Sequence, residues 1–182
     1  NAVAITGTQA EVTDALVTAS KKVVVSDATV AVTTAADAAQ GKAIVDTTSG
    51  SVEFNSGITD ALANLASGGS ITGNLTGVTA EDTDVIITIN DADSVALTAA
   101  NLSAIGSSTT GAVTVTNAVA ITGTQAQVTA ALVTAGSQVD VSDATVAISD
   151  ADSVALTAAN LSAIGSDTTG AVTVTNAVAI TG

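Results

Sequence analysis

An α/β solenoid is the fold class this sequence predicts. The coils would hold roughly 25 to 32 residues each, with two or three short strands in parallel sheets and one short helix, stacked with a right-handed sense. Three observations predict it. The chain repeats itself: residues 91–149 form a unit, residues 150–182 start that unit again almost unchanged, and residues 1–32 copy its second half. Within the unit, Val113 and Val115 alternate with Thr114 and Thr116, the period of a strand with one apolar face. Elsewhere a hydroxyl followed three residues later by Gln or Glu marks a helix start, as in Thr124-Gln125-Ala126-Gln127. The alternative is an all-β solenoid in which the Ala-rich segments are extended.

The elements follow in order. N-A-V-A-I-T-G opens the chain at 1–7 and recurs at 117–123 and 176–182. Thr8-Gln9-Ala10-Glu11 then matches a capping box, and the helix it starts ends at Ser20-Lys21-Lys22, where cations suit the negative end of the helix dipole. Residues 33–90 are a degenerate copy. There 34–48 reads as a helical edge, and G-S-V-E-F-N at 50–55 replaces G-A-V-T-V-T at 111–116, with Phe54 in the place of Val115. Residues 59–68 read as another capped helix, 70–78 as a Gly-rich stretch, and 84–89 as a strand leading back into the unit.

In the unit itself, 98–106 and its copy 157–165 read as short helices carrying Leu102 and Ile105, or Leu161 and Ile164, on one side. Thr116-Asn117-Ala118 makes a corner, after which Val119 and Ile121 resume the apolar face with Ala120 pointing away. Val128 and Leu132 lie four apart on one helical face, and Gly136 stands where that helix stops. Helices this short are marginal alone and need the coil to hold them. A core of Ala, Val, Ile and Leu suits layers in which each side chain sits on its own copy in the next coil.

The whole of 1–182 therefore reads as a single solenoid segment of a longer repeat array. Neither end shows the polar cap that isolated solenoids use for solubility, and the chain ends in the phase in which it began. The expectation is a longer array or subunits stacked end to end, since an exposed sheet edge is a template for both.

Composition narrows the function classes. Seventeen acids face three Lys, giving a net charge of −14, and there is no Arg. That balance argues against nucleic acid, which binds through cations on its phosphates, and against anionic membranes. No apolar run reaches the ~18 residues that span a bilayer, so no membrane insertion is expected. With no Cys, Met, Trp or His and a single aromatic residue, the chain has no disulfide framework and offers oxidants little to attack, which fits an extracellular or cell-surface life.

The aspartates are the candidate ligands. Asp91 and Asp93 recur as Asp150 and Asp152, while Asp27 and Asp143 occupy a second corner, Val-Ser-Asp-Ala-Thr. Stacking would bring some of them into carboxylate rows fit for Ca²⁺, a hard cation taking six to eight oxygens; the competing reading is Asx turns bonded to their own backbone. No catalytic or cofactor-binding residues are expected: Asp91 and Asp93 resemble an acid–base pair only in spacing, and a catalytic pair repeated in every copy would be odd. Outward T-x-T pairs at 114–116 and 173–175 raise an ice-binding face, but Glu53 and Asn55, or Asp140 and Ser142, interrupt it. Of the sequons at Asn74, Asn101 and Asn160, the latter two fall inside the expected helix and recur with the repeat, so the motif reads as incidental.

The alternation of V-A-I-T-G-T-Q-A-Q-V-T-A-A-L-V-T-A with V-D-V-S-D-A-T-V-A-I-S and L-T-A-A-N-L-S-A-I-G-S-D-T-T-G-A-V-T-V resembles repeats of giant cell-surface or secreted bacterial proteins, those of marine cyanobacteria above all. The likeness covers 1–32 and 91–182. It implies an extracellular stalk, adhesin or surface-fibre segment, of a kind often associated with calcium, and it carries no defined site residues. The expected function is structural, through length, stiffness and association with other copies of itself; the alternative is a module binding Ca²⁺ or a surface such as ice or polysaccharide.

Overall fold

The computed structural model of the chain describes residues 3–20, 23–134 and 136–182. Short strands and short helices alternate throughout. Strand β1 (Ala4–Gly7) leads into helix α1 (Gln9–Val12), which widens into a π-helical turn over Thr13–Val17. Then come β2 (Thr29–Val32), α2 (Ala38–Val45), β3 (Val52–Phe54), β4 (Ile58–Asp60) and the single turn α3 (Leu62–Leu65). A hairpin, β5 (Ala66–Ser67) and β6 (Ser70–Ile71), precedes α4 (Gly73–Glu81) and β7 (Ile87–Ile89). The repeat unit supplies β8 (Ala96–Thr98), α5 (Ala99–Gly106), β9 (Val113–Val115), β10 (Ala120–Gly123) and α6 (Gln125–Val128), whose π-helical extension spans Thr129–Val133. It closes with β11 (Val139–Val141) and β12 (Thr145–Ile148), and the next copy gives β13 (Ala155–Thr157), α7 (Ala158–Ser166), β14 (Val172–Val174) and β15 (Ala179–Thr181).

The ladders are parallel except in the hairpin. The sheets run β1-β2-β3, β4-β7-β9-β11, β8-β10-β12-β14 and β13-β15. Each strand pairs with one from the next pass of the chain: Ala4 opposite Thr29, Ile87 opposite Val113, Ala120 opposite Thr145. The mixed class is therefore as read, and the Ala-rich segments at 99–106 and 158–166 are helical rather than extended, which rules out the all-β alternative.

Alternation places the core. Val113, Val115, Val119 and Ile121 are all buried, at 0, 3, 1 and 0% exposure, while Thr114 and Thr116 face outward. The buried Val, Ile and Leu side chains join in one continuous cluster from Val12 to Ile164, with Phe54 within it. The helices begin where the capping signals put them: Thr8, Thr98, Thr124 and Thr157 are N-caps, and Thr8 and Thr124 complete reciprocal capping boxes.

The corners carry a device that the sequence reading passed over, T-x-G. The Thr109 hydroxyl donates to the Val85 carbonyl at 2.7 Å and accepts the Gly111 N–H at 2.9 Å. Thr168 does the same with Ala144 and Gly170, and Thr48 with Ala28 and Gly50. A β-carbon on Gly111 would lie 2.2 Å from the Asp84 carbonyl oxygen, so only glycine lets the two passes approach here.

Several expectations change. Copies do not stack on copies: β9 and its copy β14 lie in different sheets, β9 between β7 and β11, β14 beside β12. A ladder needs a neighbour at about 4.8 Å, and the next pass of the chain, not the next copy, supplies it. Residues 59–68 are not one helix. Ala61 offers no side-chain cap to α3, and Gly68 and Gly69, with φ of 60° and 79°, turn the chain tightly into the hairpin. Within 70–78 the chain forms the start of α4, capped by the Thr72 hydroxyl and holding Leu75 and Val78 inward. The strand expected over 84–89 is limited to β7 because the Asp84 and Val85 carbonyls sit in a corner against Gly111. The lysines expected at the end of the first helix, Lys21 and Lys22, lie outside the described residues, as do Asn1 and Ala2.

Candidate functional site

Four of the six predicted ligands are spent on backbone. The Asp91 carboxylate accepts the Leu62 N–H at 2.7 Å, and Asp150 accepts the Gln125 N–H at 2.6 Å. Both donors are the first residues of helices in the preceding pass. Asp93 and Asp152 accept the N–H of Ala118 and Ala177 in the following pass, at 3.1 and 3.0 Å. The side-chain amides of Asn117 and Asn176 complete the corner by donating to the Asp91 and Asp150 carbonyls, each at 2.6 Å. These bonds run between passes, 25 to 29 residues apart, rather than within Asx turns. Asp143 accepts the Ser142 hydroxyl at 3.4 Å, and the Asp27 carbonyl lies against Gly50 in its T-x-G corner. None of the six joins a group of three acids.

One such group stands elsewhere among the described residues: Glu53, Asp82 and Asp84, whose carboxylate oxygens lie within 4.8 Å of one another. Glu53 occupies the outward position of β3, and Asp82 caps the C-terminus of α4. Asp82 is only 5% exposed, and one of its oxygens accepts the Phe54 N–H at 2.8 Å. Burial is the main force holding its carboxyl above the usual carboxylate range. The Phe54 N–H pulls the other way, while the hydrogen bond that protonated Asp82 donates to Asp84 and the negative charges of Glu53 and Asp84 push it up further.

The three acids border a cavity of about 210 Å³ together with Phe54, Asn55 and Ile86. Two states suit this arrangement chemically. A proton can be held on Asp82 and shared toward Asp84, or a hard cation can neutralise all three carboxylates and remove their mutual repulsion. The sequence reading missed the group because Glu53 is remote in the chain from the other two and lies in the degenerate copy; only the local D-x-D at 82–84 signalled it.

The outward threonines are partly in register. Thr59, Thr88 and Thr114 oppose one another on neighbouring strands, and Asp140 ends the row. Asn101 is engaged in the fold: its side chain accepts the Gly69 N–H at 2.8 Å and donates to the Ala66 carbonyl at 3.2 Å, tying α5 to the hairpin.

The chain matches no protein-family model, no curated protein and no solved structure.

Proposed function

We propose that this chain is a structural element: a right-handed solenoid in which each pass of the chain is one rung, serving as a segment of an extracellular fibre or adhesin stalk. The observation that carries this reading is the recurrence of the same kinds of inter-pass contact at corresponding positions. Asp91 with Leu62 and Asp150 with Gln125, Asp93 with Ala118 and Asp152 with Ala177, Thr109 with Val85 and Thr168 with Ala144 are one set of bonds used again. Polar side chains that a binding module would present to a ligand are here used to join one rung to the next.

An acidic chain whose reactive side chains are few suits exposure to an oxidising, saline medium. At about 4.8 Å per rung, about seven rungs make a rod about 34 Å long that gains length only by adding rungs. Small-angle scattering of the purified chain tests the shape: a single particle about as long as it is wide is expected, and a string of beads with a much longer maximum dimension contradicts it.

A second reading, binding of Ca²⁺, rests on the Glu53, Asp82 and Asp84 group rather than on the repeated aspartates. A cation specific to the folded chain raises its melting temperature by mass action. A midpoint unchanged in excess calcium removes this reading and leaves the first intact.

A further inference from the structure

Two copies of one helix start use the same glutamine differently. In Thr8-Gln9-Ala10-Glu11-Val12-Thr13 the Gln9 amide donates to the Thr13 hydroxyl at 2.7 Å. In Thr124-Gln125-Ala126-Gln127-Val128-Thr129 the Gln125 amide turns to the next pass of the chain instead. Its Nε2 donates to the Thr157 carbonyl at 3.1 Å, and its Oε1 accepts the Thr157 N–H at 3.3 Å. Thr129 Oγ1 is left buried without a hydrogen-bond partner, the one side-chain atom so placed among the described residues. The Gln125 backbone N–H meanwhile donates to Asp150 at 2.6 Å, so a single residue grips both ends of the segment 150–157. That segment lies shallow. Leu156 is its one buried side chain, at 1% exposure, and Ser153 takes a left-handed φ of 67°. On its other side it is bonded to Ala177, whose N–H donates to Asp152 and whose carbonyl accepts the Ser153 N–H.

From this we infer that residues 150–157 form a strap and that Gln125 is its latch: the strap opens when the Gln125 amide leaves Thr157 and turns back to the Thr129 hydroxyl. Contacts within one chain carry this, whatever the chain's role as a stalk. The second position is open to the side chain, since Gln9 adopts it before the same π-helical turn. The closed position gains two bonds and strands a hydroxyl; the open one gains one bond and strands none. Stranding a buried hydroxyl costs about as much as a hydrogen bond contributes, so the two positions lie near balance. The corresponding helix α3 starts with Leu62, whose N–H donates to Asp91 as that of Gln125 donates to Asp150. Leucine has no amide to exchange, so the identical segment 91–98 has no such latch. Opening at the Thr157 end bares Leu156, while Ile121 in the fully buried core stays covered.

The test reads opening as the rate at which a buried thiol is labelled, which a chain without cysteine permits. Leu156→Cys places the thiol under the strap, and Ile121→Cys places a control thiol in the core. Gln125→Met keeps the length of the side chain and loses both bonds to Thr157. It should speed labelling at Leu156→Cys by about tenfold or more and leave Ile121→Cys unchanged. Thr129→Val removes the stranded hydroxyl and with it the partner of the open position. It should slow labelling at Leu156→Cys about fivefold in the Gln125 chain, but under about twofold in the Gln125→Met chain, because the two side chains meet only when the strap is open. Should methionine disturb the fold, Gln125→Leu takes its place, since α3 carries Leu62 at the corresponding position. Labelling at Leu156→Cys that ignores both replacements of Gln125 overturns the latch, as does an equal rise at Ile121→Cys, which marks general loosening. Equal slowing by Thr129→Val in both chains means that Gln125 never reaches Thr129, and it overturns the exchange between the two positions.

Discussion

The carboxylate of Asp91 takes the backbone N–H of Leu62 at 2.7 Å, so the first residue of one short helix is held by the next pass of the chain. The relationship is a column rather than an accident. Gln9 donates to the Thr34 hydroxyl, Ala38 to Asp60 and Gln125 to Asp150, each donor being the first residue of its helix. A helix start leaves N–H groups without partners and carries partial positive charge, which an acceptor in the neighbouring pass satisfies.

Replacing an acceptor in that column should destabilise the chain without changing its fold. Asp150→Ala is expected to lose about 1–2 kcal/mol by urea unfolding, and Asp150→Asn less, because an amide oxygen still accepts the Gln125 N–H. Equal and negligible losses from both would show that the bond contributes nothing.

The identical heptapeptides predict a contrast between identical substitutions. Ile121→Ala empties a fully buried site and should cost about 2–5 kcal/mol. Ile180→Ala, at a site 60% exposed in the single chain, should cost under about 0.5 kcal/mol in the monomer. Denaturation midpoints of the two variants measured at low concentration make the comparison.

Gly111→Ala should be among the most damaging single changes, because its β-carbon would fall 2.2 Å from the Asp84 carbonyl oxygen. A melting temperature within a degree of the parent would show that the corner has more room than this.

Acidity should act on Asp82 in a set direction. Its carboxyl is held above the usual range in the folded chain, chiefly by burial, so the protonated form is favoured by folding. The stabilisation this supplies is present in acid and is lost as pH rises above the ordinary carboxylate value and through the raised one. Asp82→Asn removes the charge and keeps an oxygen for the Phe54 N–H, so it should raise the melting temperature near neutral pH and have little effect at pH 4. Glu11 works in the opposite sense. The Thr8 N–H and then the Thr8 hydroxyl hold its carboxyl below the usual range, so that contribution fades as pH falls.

Much of the fold was legible because local signals and repetition agree. Thr124 with Gln127, the Val113–Thr114–Val115 alternation and the Leu102–Ile105 face each predict their element, and each is seen where expected. The parts that were not legible depend on contacts between passes. T-x-G corners look like ordinary turn residues until a carbonyl of the previous pass is placed beside Gly111. The double glycine at 68–69 reads as a helix stop, and the hairpin it makes depends on Asn101 of a later helix holding it. Only the D-x-D half of the acidic group of Glu53, Asp82 and Asp84 shows in sequence, because the contact of the Phe54 N–H with Asp82, not spacing along the chain, brings Glu53 to the other two. The repeated Asp residues drew attention as ligands for the same reason that they serve as joints: each stands at a corner where a neighbouring pass arrives.

The central claim is that each pass lies on the next pass, and not on its own sequence copy. Disulfide trapping measures this directly, since the chain has no cysteine of its own. Thr114→Cys/Asp140→Cys places thiols at outward positions opposite one another on β9 and β11, whereas Thr114→Cys/Thr173→Cys places them on copies in different sheets. Under dilute oxidation the first pair should close nearly completely within one molecule and the second should not close. Rapid closure of the Thr114–Thr173 pair, with the Thr114–Asp140 pair left open, would contradict the account.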